Sequence, residues 1–245
     1  MTTTVARHPS PTVHTARRLG AALLTMGGIF WALAVVAVVL ATLVVWRVNG
    51  SVDVSIAVYA RQGATWFPFS LGIMLVAAYL RVHVASGMTR RSFVRAALLV
   101  EVAAGVGYAA VFTAVVLLER TVHDALGWGS TVTEIQLADE SASAGAMLLE
   151  LSVTFVVANL SGLLVGAVYQ RFGAWAGTLT LPLTVGPLVL LLYIPGARFV
   201  DLPGIWTTTE AGHLGLAVGV GVALGAAMAT VFAAVVLRQQ LTPTP

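Results

Sequence analysis

Residues Arg81 to Arg95 read R-V-H-V-A-S-G-M-T-R-R-S-F-V-R. Four of the thirteen positive side chains of the chain fall in this stretch, and a long apolar run lies on each side of it. It reads as a short basic loop between two membrane helices, and its charge orients everything else. Within it, Gly87 can end the incoming helix. Thr89 can cap a new short segment carrying Arg90, Arg91 and Arg95. Met88 and Phe93 give that segment an apolar side. A short, amphipathic, positive helix of this kind can dock in a groove on a partner. The plainer alternative is that its arginines hold topology and touch anionic lipid.

Working outward, the chain has 245 residues, of which 58% are hydrophobic and 9% charged. A soluble domain carries about 25% charged residues. Apolar runs recur along the whole length, so the fold class is all-α, a polytopic membrane protein. Backbone groups in lipid must be paired within the segment, which selects helices. The pattern predicts six transmembrane helices, over residues 21–46, 64–80, 94–118, 143–169, 174–194 and 212–237. Residues 1–19 form a cytoplasmic N-terminal segment, disordered to about residue 11. A short interfacial helix over 12–20, or a simple anchor through Arg17 and Arg18, leads into an uncleaved first span. Residues 20–238 are the transmembrane domain and 239–245 a cytoplasmic tail.

Six spans place both termini on one side. Segments sharing a side with the basic loop carry Arg7, Arg17, Arg18, Arg81, Arg90, Arg91, Arg95, Arg171 and Arg238, with no acidic residue. The opposite connections carry Arg47, Arg61, Arg120 and Arg198 against Asp53, Glu119, Asp124, Glu134, Asp139, Glu140, Asp201 and Glu210. The positive-inside rule makes the first set cytoplasmic, in a multi-pass protein of the cell membrane. Trp46, Trp66 and Trp206 fall at outer ends and Tyr79, Tyr169 and Trp175 at inner ends, where amphipathic rings sit at headgroup level. Trp31, inside the first span, is expected to be packed. Ser141 or Ser143 can cap the fourth helix, with Asp139 and Glu140 facing its positive N-terminus.

Composition also excludes chemistry. There is no cysteine, so there is no disulfide, thiolate metal site or cysteine nucleophile. All thirteen positive residues are arginine, which removes any lysine-bearing phosphate loop, so ATP hydrolysis would belong to another chain. The five histidines, His8, His14, His83, His123 and His213, form no zinc-binding pair. No nucleic-acid reading module accompanies the basic residues. No catalytic residue, cofactor site or metal site is expected.

Two carboxylates lie inside apolar runs, Glu101 and Glu150. A charge in hydrocarbon costs roughly 2.5–3.5 kcal/mol or more, so each must face protein or water. Structural or gating glue between helices, a substrate pathway and a proton relay all fit. The expected placement of the two residues in opposite halves of the bilayer argues against a shared proton or cation. Thr154 and Ser161 lie near the Glu150 face, with Asn159 further round. Glycines at four-residue spacing (Gly162 and Gly166, Gly173 and Gly177, Gly215 and Gly219, Gly221 and Gly225) allow close helix approach, within one subunit or between two. Gln170 to Gly173 reads as a tight turn, and Pro182 and Pro187 should kink the fifth helix.

The sequence S-G-M-T-R-R-S-F (Ser86 to Phe93), between spans two and three of six, resembles the coupling-helix region of ABC transporter permeases of the type-2, six-helix exporter class. The basic segment before the first span is similar, and Y-Q-R-F-G-A-W-A-G-T-L-T-L-P-L (Tyr169 to Leu183) resembles small permeases of high-GC Gram-positive bacteria. The layout covers residues 12–238. A polar, proline-bearing connection between helices 5 and 6 departs from it. The resemblance implies a subunit of an exporter whose ATP and Mg²⁺ are bound by a separate ATP-binding subunit. That subunit would dock on Ser86, Gly87, Met88, Thr89, Arg90, Arg91, Phe93 and Arg95, and a second permease subunit, identical or homologous, would complete the pathway. Glu101, Glu150, Thr154 and Asn159 are candidates for pathway or gating. The other classes are a stand-alone ion-coupled transporter or channel using Glu101 or Glu150, and a non-transport membrane scaffold. Ala85-Ser86-Gly87 also resembles the serine motif of rhomboid proteases. However, the expected topology puts a span of bilayer between Ser86 and His213, which defeats a Ser–His pair.

Overall fold

The structure is a computed structural model, describing residues 10–129, 143–193 and 210–239. The described residues form helices only: α1 (Pro11–Asn49), α2 (Ala60–Ala85), α3 (Arg90–Leu126), α4 (Ala144–Leu179), α5 (Leu181–Tyr193) and α6 (Glu210–Leu237). A 3₁₀ turn, Ala57–Tyr59, leads into α2. Among the described residues five helices are long and apolar enough to cross a membrane, namely all but α5.

Local chemistry sets the helix ends. Ser10 caps α1 through Val13 N at 3.4 Å, and Pro11 stands at its first position, where a missing N–H costs nothing. No break separates residues 12–20 from the first span, so the expected interfacial helix is the first turns of α1. At about 1.5 Å per residue, α1 is longer than a hydrocarbon core of about 30 Å. Ser143 Oγ accepts from Ala146 N at 3.2 Å, so the expected cap of α4 is present. Asp139, Glu140 and Ser141 lie outside the described residues.

The expected fifth span, 174–194, is not one uninterrupted helix. Gly173 has φ 80° and ψ −178°, which turns the chain where Gln170 to Gly173 was read as a turn. Residues 174–179 then form a short helical piece, with the Tyr169 ring packed over Gly177 and its hydroxyl 3.0 Å from Thr178 Oγ1. The helix stops at Thr180, and α5 runs 13 residues from Leu181. Pro182 is the second residue of α5, in the first turn where a missing N–H forfeits no bond within the helix, so it sits at a helix start instead of kinking a helix interior. Only Pro187 sits inside α5.

α4 is the centre of the bundle. It packs against α2, α3, α5 and α6, and is buried along most of its apolar span. Gly162 and Gly166 lie on the α2 backbone: a Cβ at Gly162 would fall on the Phe69 carbonyl oxygen, and one at Gly166 would lie 2.9 Å from Ile73 O. Gly105 does the same for α3, where a Cβ would stand 2.8 Å from Val156 N. These glycines let helices approach at backbone distance, inside one subunit. Gly215 and Gly219 meet nothing within 4 Å.

α1 lies at the edge, against α3 and α2. Its Trp31 is packed as expected, with ring centroids 5.6 Å from Tyr108 and 6.3 Å from Phe112. Pairings fix helix directions. Gln170 reaches Val76 O while Gly162 meets Phe69, so α2 and α4 run parallel. Ser161 bonds Thr184 O at 2.5 Å while Tyr169 meets Thr178, so the stretch 174–193 returns alongside α4. One end of the bundle thus gathers the start of α1, the 86–89 turn and the ends of α4 and α6. There Thr15 Oγ1 meets Met88 Sδ at 3.9 Å, and Arg171 Nη1 donates to Val235 O at 2.9 Å. The other end gathers Glu119, Trp46 and Trp128, the last two 6.2 Å apart.

Candidate functional site

At the arginine-rich end, α2 and α3 are joined by a four-residue elbow. Gly87 adopts φ 82°, its N–H donates to Val84 O at 3.0 Å, and Met88 N donates to His83 O at 3.2 Å. This is a left-handed termination of α2 that only glycine enters without strain. Thr89 Oγ1 then accepts from Ser92 N at 3.2 Å and caps α3. Both local expectations hold, but the short coupling helix does not form as a separate element. From Arg90 the helix continues unbroken to Leu126. No proline or turn signal interrupts it, and Phe93 already belongs to the buried face of the long helix.

That placement divides the expected docking set. Ser86, Gly87, Thr89, Arg91 and Arg95 are exposed, whereas Met88 and Arg90 are half-buried. Arg90 Nη1 reaches Leu237 O at 3.5 Å, which ties the elbow to the end of α6. Phe93 is 0% exposed and offers no docking side. His83, which the sequence did not single out, braces the elbow from beneath. Its Nε2 lies 2.9 Å from Ser92 Oγ and 3.1 Å from Thr89 O, and its ring packs 5.5 Å from that of Phe93.

The two carboxyls within the apolar helices α3 and α4 occupy different sites. Glu101 is 0% exposed, and neither carboxyl oxygen has a hydrogen-bond partner. Asn159, also fully buried, donates from Nδ2 to the Glu101 main-chain oxygen at 2.9 Å, while its Oδ1 is without a partner. Glu150 stands nine residues from Asn159, ~13 Å along α4. It lines a small cavity of about 10 Å³ with Val153, Thr154, Leu191, Ala217 and Val218. Its Oε2 is buried without a partner, and the Arg61 charge lies within electrostatic reach. Thr154 spends its hydroxyl on Glu150 O at 3.0 Å, and Ser161 spends its own on Thr184. The structure therefore brings Glu101 together with Asn159 and Glu150 together with Thr154, and does not join the pairs.

The opposite end holds a further polar contact. Glu119, read as the start of an outer connection, lies inside α3, which runs eight residues beyond its expected end at 118. Its carboxylate accepts from Ile56 N at 2.8 Å, from Ala57 N at 3.0 Å and from the Ser55 hydroxyl. These N–H groups open the 3₁₀ turn before α2, where a carboxylate meets the positive end of a helical backbone. The only signal in the sequence was an acidic residue at the end of an apolar run.

Three open grooves between helices are almost wholly apolar. One of about 430 Å³ between α1 and α3 is lined by small residues that include Gly27, Gly28, Ala103, Ala104 and Gly107. Another, of about 400 Å³, runs between α3, α4 and α6. Such surfaces suit acyl chains or apolar cargo; the third, between α1 and α3 at the opposite end, reaches Glu119 and His123. Among the described residues no group of three His, Cys, Asp or Glu side chains is placed to hold a metal. Comparison with protein-family models, with curated proteins and with solved structures returns no match for this chain.

Proposed function

We propose that this chain is the permease subunit of an ATP-driven ABC exporter in the cell membrane, moved by a separate ATP-binding subunit. In this reading the chain crosses the membrane six times, with the 174–193 stretch as the broken crossing and both termini in the cytoplasm. ATP and Mg²⁺ are bound by the partner. A second permease subunit, identical or homologous, completes the pathway, and membrane lipid surrounds it.

The observation that carries the reading is the elbow. Ser86, Gly87, Thr89, Arg91 and Arg95 are exposed, and directly beneath them His83, Ser92 and Phe93 are buried and bonded. An acidic groove on a partner can grip such a surface, and any push on it passes directly into α2 and α3. A soft loop would absorb the same push.

The test is copurification from the native membrane. The chain brings down an ATPase, and the Arg91→Glu/Arg95→Glu variant does not. Flux in vesicles then requires ATP and that companion. The buried carboxyls support a second reading, a stand-alone ion-coupled transporter or channel. Flux that persists without any ATPase and is abolished by Glu150→Gln would favour that second reading and end the first.

A further inference from the structure

We propose that Glu101 is a proton-binding site, and that its protonated carboxyl donates to Asn159 Oδ1 to form a proton-dependent clasp between α3 and α4. The inference starts from orphaned acceptors on two facing helices. Both carboxyl oxygens of Glu101 and the Oδ1 of Asn159 are fully buried and without a donor. The two residues are neighbours: the Asn159 amide is anchored by its Nδ2 on the Glu101 main-chain carbonyl at 2.9 Å, which leaves its Oδ1 free to meet a donor from the Glu101 side chain. Buried polar groups in native proteins are nearly always paired. An ionised carboxylate is an acceptor only and cannot satisfy an amide oxygen, whereas a carboxylic acid has one donor. One added proton therefore supplies a partner to both residues.

The surroundings offer the carboxylate no other compensation. On α3, Tyr108 is the titratable group that faces Glu101, and its hydroxyl is itself buried without a partner beside Gly27 of α1. On α4, Glu150 lies nine residues away in its own cavity, and Arg171, twelve residues the other way, is engaged with Val235 O. On α2, His83 is bound to Ser92 and Thr89. Between residues 19 and 46 of α1, 62 and 80 of α2, and 214 and 237 of α6 there is no charged residue or histidine. Glu101 lines none of the apolar grooves or the Glu150 cavity. An unpaired charge there is opposed by desolvation from every side.

The consequence is a contact that depends on a proton. α3 and α4 meet at backbone distance at Gly105 and Val156, one turn from the clasp. Parting the two helices would admit water to Glu101 and release the proton, and closing them would take it up again. The clasp does not require that an ATPase drives the motion, so it stands apart from the proposal above.

The experiment is infrared spectroscopy of the full chain in lipid nanodiscs at neutral pH. Wild type minus Glu101→Gln should show one carbonyl stretch of a protonated carboxylic acid, shifted by deuterium and retained in Glu150→Gln. Glutamine is nearly isosteric and keeps a donor for Asn159 Oδ1, so this variant should fold. In Asn159→Ala, or in Asn159→Ser if the alanine variant does not fold, the band should move to the frequency of a more weakly bonded acid. Absence of the acid band overturns the proposal. A band indifferent to substitution at Asn159 overturns the clasp. A band that appears only when sodium is removed makes the site a cation site instead.

Discussion

Glu119 of α3 accepts a hydrogen bond from the backbone N–H of Ile56 at 2.8 Å, across 63 positions of sequence. One carboxylate thereby fixes the end of the α1–α2 connection to the far end of α3. The same helix begins at the elbow, so α3 joins both ends of the bundle as a single rod. Removing the acceptor leaves two backbone donors to find water. Hydrogen bonds to charged groups are worth about 1.5–3 kcal/mol each. Glu119→Ala should therefore lower the unfolding temperature clearly and Glu119→Gln by less, as read by thermal unfolding in detergent. Equal behaviour of both variants and wild type would show that the latch holds nothing.

Two glycine substitutions should separate sharply. A Cβ at Gly162 would fall on Phe69 O, and one at Gly219 meets nothing. Overpacking a tight contact costs typically about 1–3 kcal/mol. Glycine to alanine in an open helix position gains about 0.5–1 kcal/mol. Gly162→Ala should reduce folded yield and stability, and Gly219→Ala should preserve or raise both.

Tyr108 tests the value of an orphan. Its hydroxyl has no partner, yet its ring packs on Trp31, Phe30 and Gly27. Removing an unpaired buried hydroxyl is close to neutral or stabilising. Tyr108→Phe should match or exceed wild type in thermal unfolding, whereas Tyr108→Ala should lose about 3–5 kcal/mol through the cavity it opens. A strongly destabilised phenylalanine variant would mean that the hydroxyl has a partner after all.

Stiffness of the elbow depends on His83. In His83→Ala, Ser92 Oγ and Thr89 O lose their shared partner and the Phe93 ring loses its cover. Backbone amides over residues 86–92 should exchange with deuterium faster, while those of the α2–α4 contact around Gly162 should not change. Uniform acceleration would point to global loosening instead.

Orientation can be read directly because the chain contains no cysteine. A single Ser86→Cys should react with a membrane-impermeant thiol reagent from the cytoplasmic side only, and Asp124→Cys from the outside only. The reverse result would invert the topology and remove the elbow from the reach of a cytoplasmic ATPase.

What the sequence determined by itself was whatever neighbours along the chain decide. Apolar run lengths marked five long apolar helices, Gly87 and Thr89 marked the elbow, Ser143 marked a cap, and Gly173 marked a turn. These depend on backbone conformation and on donors within four residues, so the local chemistry is enough. Tertiary structure decided what depends on the facing helix. It extended α3 through Glu119, because that carboxylate finds backbone donors in a distant segment. It merged the expected coupling helix into α3, because Phe93 has a core to enter. It separated Gly162 from Gly219, which have the same spacing pattern but different neighbours. It placed Asn159 on the Glu101 carbonyl, 58 positions away. Helical periodicity states which side of a helix is apolar, but what that side meets is settled only when the helices pack, since every interhelical bond needs two partners brought together by the fold.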